Sequence, residues 1–237
     1  MQQSFGVVVV AAGKGTRMGT IESKQFLQLQ DKPVVIHTLE RFQQMPQCET
    51  VVLVTSSHDS ERCQHWVEQY KLSKVKDIVS GGKERQHSVY AGLQAAKARG
   101  VQIVLIHDGV RPFVEEQHIL ACCQGAVEHR AAVLGVPVKD TIKQVDAAGV
   151  ITATPDRSSL WAIQTPQAFR LEDVIRAHDE ANAAKRLGTD DAVLVEQIGI
   201  PVHIVEGSYT NVKLTTPEDL DWAEWWLERR ESEGSER

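Results

Sequence analysis

A chain of 237 residues, 42% hydrophobic and 24% charged, is long enough to bury a sizeable core and has an ordinary globular composition. The formal net charge of −6 gives no general attraction to nucleic acid or to an anionic membrane. A polyanion site therefore has to be built from locally clustered basic residues.

The first apolar run, "FGVVVV" (5–10), reads as a buried strand because it is continuous rather than alternating. It is too short for a signal peptide or a membrane span, so a cytoplasmic protein with no membrane partner is expected. Asp31 and Pro33 open a helix whose Val35, Leu39 and Phe42 recur at helical spacing. "TVVLVT" (50–55) is the next strand. Asp59 or Ser60 caps a second helix with a packing stripe of Cys63, Trp66, Val67 and Tyr70. "KDIV" (76–79) and "QIVLIH" (102–107) read as strands on either side of a third helix, "ERQHSVYAGLQAAKARG", closed by Gly100 at C′. Strand alternating with helix implies a mostly parallel sheet with helices on both faces.

From about residue 132 the pattern changes. "AVLGVPV", "TIKQV" and "VITAT" read as short strands separated by turn residues, a β-arm at about 136–159 protruding from a single domain. Helices are expected around 171–185 and 190–197, then a late strand in "PVHIVEG". A last helix opens at Thr216-Pro217-Glu218-Asp219, and the polar tail "RRESEGSER" is expected to fray. Cys48, Cys63, Cys122 and Cys123 form no C-x-x-C pair and fit core or surface thiols in a reducing compartment.

The stretch most suggestive of chemistry is "AAGKGTRMG" (11–19), a glycine-rich turn leaving the first strand. It is not a Walker A loop, because Val8 stands where the first glycine belongs and Gly15 follows Lys14. It is not G-x-G-x-x-G either, since Met18 follows Gly13 and Gly15 at the third-glycine position. Lys14, Arg17 and Lys24 lie within eleven positions. That density of cations suits a triphosphate attacked at its α-phosphorus, where charge spreads over non-bridging oxygens.

"AAGKGTRMG" followed by "KQFLQLQDKPVVIHTL" resembles the opening of the sugar-nucleotide pyrophosphorylase-type nucleotidyltransferases, most of all the 2-C-methyl-D-erythritol 4-phosphate cytidylyltransferases of the non-mevalonate isoprenoid pathway. Further matching blocks are "SGGKERQHSVYAGL", "IHDGVRPF", "VPVKDTIK", "DRSSLWAIQTPQAF", "GTDDA" and "NVKLTTPEDL", in order along nearly the whole chain. The resemblance implies a Rossmann-like α/β nucleotidyltransferase domain that transfers CMP from CTP to 2-C-methyl-D-erythritol 4-phosphate. It implies Arg17, Lys24 and Lys213 as catalytic cations. Ala11, Ala12, Gly13, Lys14, Gly15, Gly82, Lys83, Ser88 and Asp108 fall at nucleotide positions, with Gly82, Lys83 and Ser88 reading cytosine. Arg111, Thr141, Arg157, Thr165 and Thr189 fall at substrate positions, with Arg111 expected to reach either the sugar phosphate or structural carboxylates.

Mg²⁺ or another divalent cation is expected to bind with CTP. Asp108 is the one possible protein ligand, and it follows a strand at the carboxyl end where ligands of parallel sheets bind. His107 is expected to be a packed histidine rather than an acid–base group. Family members place the residue matched by Arg157 in the partner's site, which implies a homodimer with shared active sites; an arm unable to bury both faces supports the same conclusion. The chain departs from the family at Thr210, where members often carry an acidic residue. Ribitol-5-phosphate cytidylyltransferase and a non-catalytic nucleotide-binding regulator remain the alternatives. "AAG" rather than "AGG", and the run "DRSSLW", favour methylerythritol phosphate over ribitol phosphate.

Overall fold

The computed structural model describes residues 3–13 and 24–235. Strand β1 (Phe5–Val10) coincides with the first apolar run. A 3₁₀ turn (Lys24–Phe26) and a small hairpin, β2 (Gln28–Leu29) and β3 (Lys32–Pro33), lead into α1 (Val34–Gln43). There follow β4 (Cys48–Thr55), α2 (Ser60–Gln69), β5 (Val75–Ser80), α3 (Arg85–Ala98), β6 (Ile103–Asp108), α4 (Glu116–His129) and β7 (Ala131–Pro137). The arm carries β8 (Gln144–Val145) and β9 (Ile151–Ala153). The chain returns through β10 (Trp161–Arg170), α5 (Leu171–Ala183), α6 (Asp191–Gln197), β11 (His203–Glu206) and α7 (Pro217–Ser235).

The main sheet has seven strands in the order β11-β7-β10-β6-β1-β4-β5. The pairs β1–β4, β1–β6, β4–β5 and β7–β11 are parallel; β10 alone runs against its neighbours β6 and β7. Successive side chains of a strand point to opposite faces. Val7 and Val9 of β1 therefore pack with Leu39 and Phe42 of α1, Cys63 of α2 and Cys122 of α4. Val8 packs on the other face with Val89 and Leu93 of α3, Val174 of α5 and Leu194 of α6. A sheet covered on both sides needs apolar residues at every position, which is why its strands read as continuous runs.

Gly100 closes α3 at φ +74°, the left-handed position expected of it. The last helix continues to Ser235 instead of fraying, and its Ala223, Trp222 and Trp226 pack with Leu29, Phe113 and Leu214. The arm strands shrink to two and three residues.

Two elements stand out less in the sequence. The buried face of α4 is built of Cys122, Cys123, Gly125 and Ala126, small residues that contrast weakly with their neighbours. Strand β10 contains Gln164, Pro166 and Gln167. Pro166 falls where the pairing with β7 shifts register, so neither ladder needs its missing N–H.

The chain crosses from β1 through α1 to β4 on one side and from β5 through α3 to β6 on the other. The winding therefore reverses between β1 and β6. In open α/β sheets the ligand crevice lies outside the carboxyl ends of the strands at that reversal.

Candidate active site

A cleft of about 360 Å³ opens at this point. Its floor is the end of β1, Val10 to Gly13, and the end of β6, Asp108 and Val110. One wall is the turn Gly82–Arg85 with Ser88 behind it, and Gln25 and Lys213 complete the lining. Backbone bonds fix the floor: Ala11 N–H donates to the Val54 carbonyl at 2.7 Å and Gly109 N–H to the Val10 carbonyl at 2.9 Å.

The glycine turn after β5 is close-packed. A Cβ on Gly81 would stand 2.5 Å from the Ala12 Cβ and 2.7 Å from Ser88 Oγ, so only glycine fits there. Ser88 Oγ accepts the Gly82 N–H and donates to the Glu84 carbonyl, both at 3.1 Å. Its hydroxyl thus shapes the turn and keeps one lone pair free for a ligand. Gln25, buried, donates to the carbonyls of Ala11 at 2.7 Å and Gly13 at 3.0 Å. That holds the backbone of Lys24, the first residue of the 3₁₀ turn, close to the end of β1. Lys14, Gly15 and Arg17 lie outside the described residues.

Asp108 is the electrostatic centre of the cleft. Lys213 Nζ is 2.8 Å from its Oδ2, Arg111 Nε 3.5 Å from the same oxygen, and Arg85 Nε 3.8 Å from Oδ1. Burial alone would raise this carboxyl, but the three cations outweigh burial and hold it well below the usual carboxylate range. Beneath it, the Thr165 hydroxyl accepts the Asp108 N–H at 3.0 Å and lies 3.1 Å from His107 Nδ1. His107 Nε2 is 3.1 Å from the Arg111 carbonyl, which can only accept. Nε2 therefore carries the proton, Nδ1 is the acceptor, and Thr165 donates to it. Complete burial pushes His107 down to about 4. It is a neutral packed strut, as its place at a strand end suggested.

Lys213 is brought in by its neighbours. Leu214 is buried and its N–H donates to the Val110 carbonyl at 2.9 Å. Asn211 donates from Nδ2 to the Thr165 carbonyl at 2.9 Å, and its own carbonyl accepts from Arg111 Nη1 at 2.7 Å. The structure thus brings Ala11, Ala12, Gly13, Gly82, Lys83, Ser88, Asp108 and Lys213 into one cleft.

The expected substrate residues fare differently. Arg111 and Thr165 are buried behind Asp108: Arg111 Nη1 donates to the Asn211 carbonyl, and the Thr165 hydroxyl is engaged by the Asp108 N–H and His107 Nδ1. Thr141 and Arg157 are exposed on the arm, where Arg157 Nη1 donates to the Lys139 carbonyl at 2.6 Å. Thr189 is exposed ahead of α6. The Thr210 hydroxyl is 2.7 Å from Ser208 Oγ. Gln25 and Arg85 line the cleft without having been singled out beforehand. Arg85 sat within a matched block, but nothing in one dimension shows which acid it meets.

The model of the 2-C-methyl-D-erythritol 4-phosphate cytidylyltransferase family matches residues 5–229. A relative of that name from Geobacillus thermodenitrificans is 49% identical over 97% of this chain and 100% of its own length. One from Bacillus velezensis is 51% identical over 93% and 94%. Among solved structures, 4-diphosphocytidyl-2C-methyl-D-erythritol synthase of Anaerococcus prevotii superposes with a TM-score of 0.83 at 28% identity, covering 96% of this chain and 100% of that one. The Thermus thermophilus cytidylyltransferase gives 0.78 at 29%, covering 94% and 98%.

Proposed function

We infer the working of the cleft from one premise: the chain belongs to the 2-C-methyl-D-erythritol 4-phosphate cytidylyltransferase family, as the match over residues 5–229 establishes. It is a nucleotidyltransferase of the non-mevalonate pathway to isoprenoids, joining the cytidylyl unit of CTP to the phosphate of 2-C-methyl-D-erythritol 4-phosphate. An oxygen of the substrate phosphate forms a bond to the α-phosphorus, the bond from that phosphorus to the bridging oxygen breaks, and pyrophosphate leaves. The nucleophile is already an anion, so no proton has to be removed and no covalent enzyme intermediate is needed. Positioning and electrostatics carry the rate.

In this reading Lys213, fixed against Asp108, acts on the α-phosphate together with the cations Arg17 and Lys24. Cations aimed where charge develops stabilise the transition state more than the ground state. The turn at Gly82–Ser88 takes the cytosine. The donor set suits a divalent cation that arrives with the nucleotide. Asp108 and Glu84 are the carboxylates lining the cleft, and among the described residues no three His, Cys, Asp or Glu side chains form a protein-only metal site. Mg²⁺ bound by phosphate oxygens, with Asp108 as its protein ligand, would offset charge on the triphosphate.

A homodimer completes the site in this reading. The arm exposes Ile142, Val145, Val150 and Ile151, with Val145, Val150 and Ile151 each more than half accessible. An isolated two-stranded hairpin is marginal in water, and a second copy would cover these side chains and carry Arg157 to the neighbouring cleft. A cytoplasmic location is supported by four free, buried cysteines. No helix among the described residues is long and apolar enough to cross a membrane.

Pyrophosphate release from CTP, measured side by side with methylerythritol phosphate and ribitol 5-phosphate, tests the assignment. Turnover with methylerythritol phosphate alone is expected. Preference for the ribitol ester would overturn the substrate.

A further inference from the structure

We infer that Arg85 is a ligand of the nucleotide phosphates and that Asp191 is the positioning residue that aims it. The inference rests on the reading of the cleft as a CTP site. Arg85 is the first residue of α3 and lines the cleft. Its Nη1 donates to Asp191 Oδ2 at 2.8 Å, whereas its Nε stands 3.8 Å from Asp108. Asp191, not Asp108, therefore fixes the guanidinium. Nη2 has no hydrogen-bond partner among the described residues, so one edge of the planar fork is open.

Asp191 is 1% exposed, and burying a carboxylate costs several kcal/mol unless it is well paired. The neighbouring Asp190 already caps α6, its Oδ1 accepting the Val193 N–H at 3.0 Å. Asp191 has no such local duty. Its other oxygen is 3.1 Å from Nε2 of His178, a fully buried side chain. Asp191 is thus gripped from behind and presents its second oxygen to the cleft wall. A guanidinium fork matches phosphate oxygens in a way an ammonium does not.

The test is calorimetric titration of CTP into intact wild-type protein, Arg85→Gln, Asp191→Asn and the double variant, with steady-state kinetics on each. Each single change is expected to weaken CTP binding about tenfold or more, and the double variant to be no weaker than the worse single one, because both remove one interaction. KM for CTP should rise while KM for the sugar phosphate stays put. Asp191→Glu should restore part of the affinity, which rescue of a merely structural acid would not predict. Arg85→Gln leaves buried Asp191 without its cation, so Arg85→Lys, which keeps that charge and removes only the fork, decides the question if either variant fails to fold. CTP binding by Arg85→Gln equal to wild type, or losses that multiply in the double variant, would overturn the inference. A wild-type protein that binds no CTP would instead overturn the reading on which it rests.

Discussion

Lys213 Nζ lies 2.8 Å from Asp108 Oδ2, joining the segment ahead of α7 to the end of β6 at the point where the sheet reverses its winding. Lys213 keeps 37% of its side chain accessible while Asp108 is nearly enclosed. The amine is therefore tethered on one side and open to the cleft on the other.

That geometry makes Lys213 sensitive to truncation. Lys213→Ala should lose on the order of 10²-fold or more in turnover, and Arg17→Ala and Lys24→Ala should behave alike, as expected when a transition-state donor is removed. The fold should survive, since Asn211 and Leu214 hold the segment without the amine. Near-native turnover of Lys213→Ala with both substrates saturating would contradict a catalytic role.

Nucleotide choice should follow from the turn at Gly82. CTP is expected to be preferred over UTP by about two orders of magnitude or more, because a site built around the cytosine amino group leaves polar groups unpaired against uracil. Ser88→Ala removes the acceptor of the Gly82 N–H and should narrow that ratio while leaving KM for the sugar phosphate unchanged. Equal rates with CTP and UTP in the wild type would rule out this turn as the base reader.

His107 predicts a stability profile. Its folded pKa, about 4, lies below its ordinary 6.5 because the imidazole is fully buried. Between those values the unfolded chain binds the proton and the folded chain does not, so stability is complete above 6.5 and is lost as pH falls toward 4. The loss between pH 7.5 and 5 should be about 2 kcal/mol from this group alone. Urea unfolding of wild type and His107→Asn at both pH values checks it; parallel losses in the two proteins would show that His107 is not the titrating group.

The arm can be tested by complementation. Mixing Lys24→Ala and Arg157→Ala chains gives heterodimers in which, if Arg157 crosses, one site carries both defects and the other carries neither. Random pairing makes half the dimers mixed and half of their sites intact, so co-expression should recover roughly a quarter of wild-type activity per site from two inactive parents. Mass-verified heterodimers without recovery would place Arg157 in its own subunit's cleft.

Much of this molecule is legible in one dimension. Strands β1, β4 and β6 announce themselves because the centre of a sheet covered on both faces calls for mostly apolar side chains. The turn at 11–13, the Gly82 turn, Asp108 and Lys213 were all identified from motifs, and they converge on one cleft. Strand β10 was hidden by polar residues that become acceptable only through tertiary partners. Gln167 Nε2 donates to Asp190 at 2.8 Å, and its Oε1 accepts the Ala192 N–H at 3.2 Å. Arg111 was open to either a sugar phosphate or a structural carboxylate, and only the fold shows it 3.5 Å from Asp108.

What the sequence determined by itself was periodicity and local chemistry: the strands and helices with clear apolar repeats, and where a glycine turn meets clustered cations. What only the tertiary structure decided was which charges face one another. Arg85 and Asp191 stand 106 residues apart, and their pairing depends on α3 and α6 covering the same face of the sheet. Strand order sets that arrangement, and strand order is fixed by packing between distant segments, which the repeat of apolar residues along the chain does not encode.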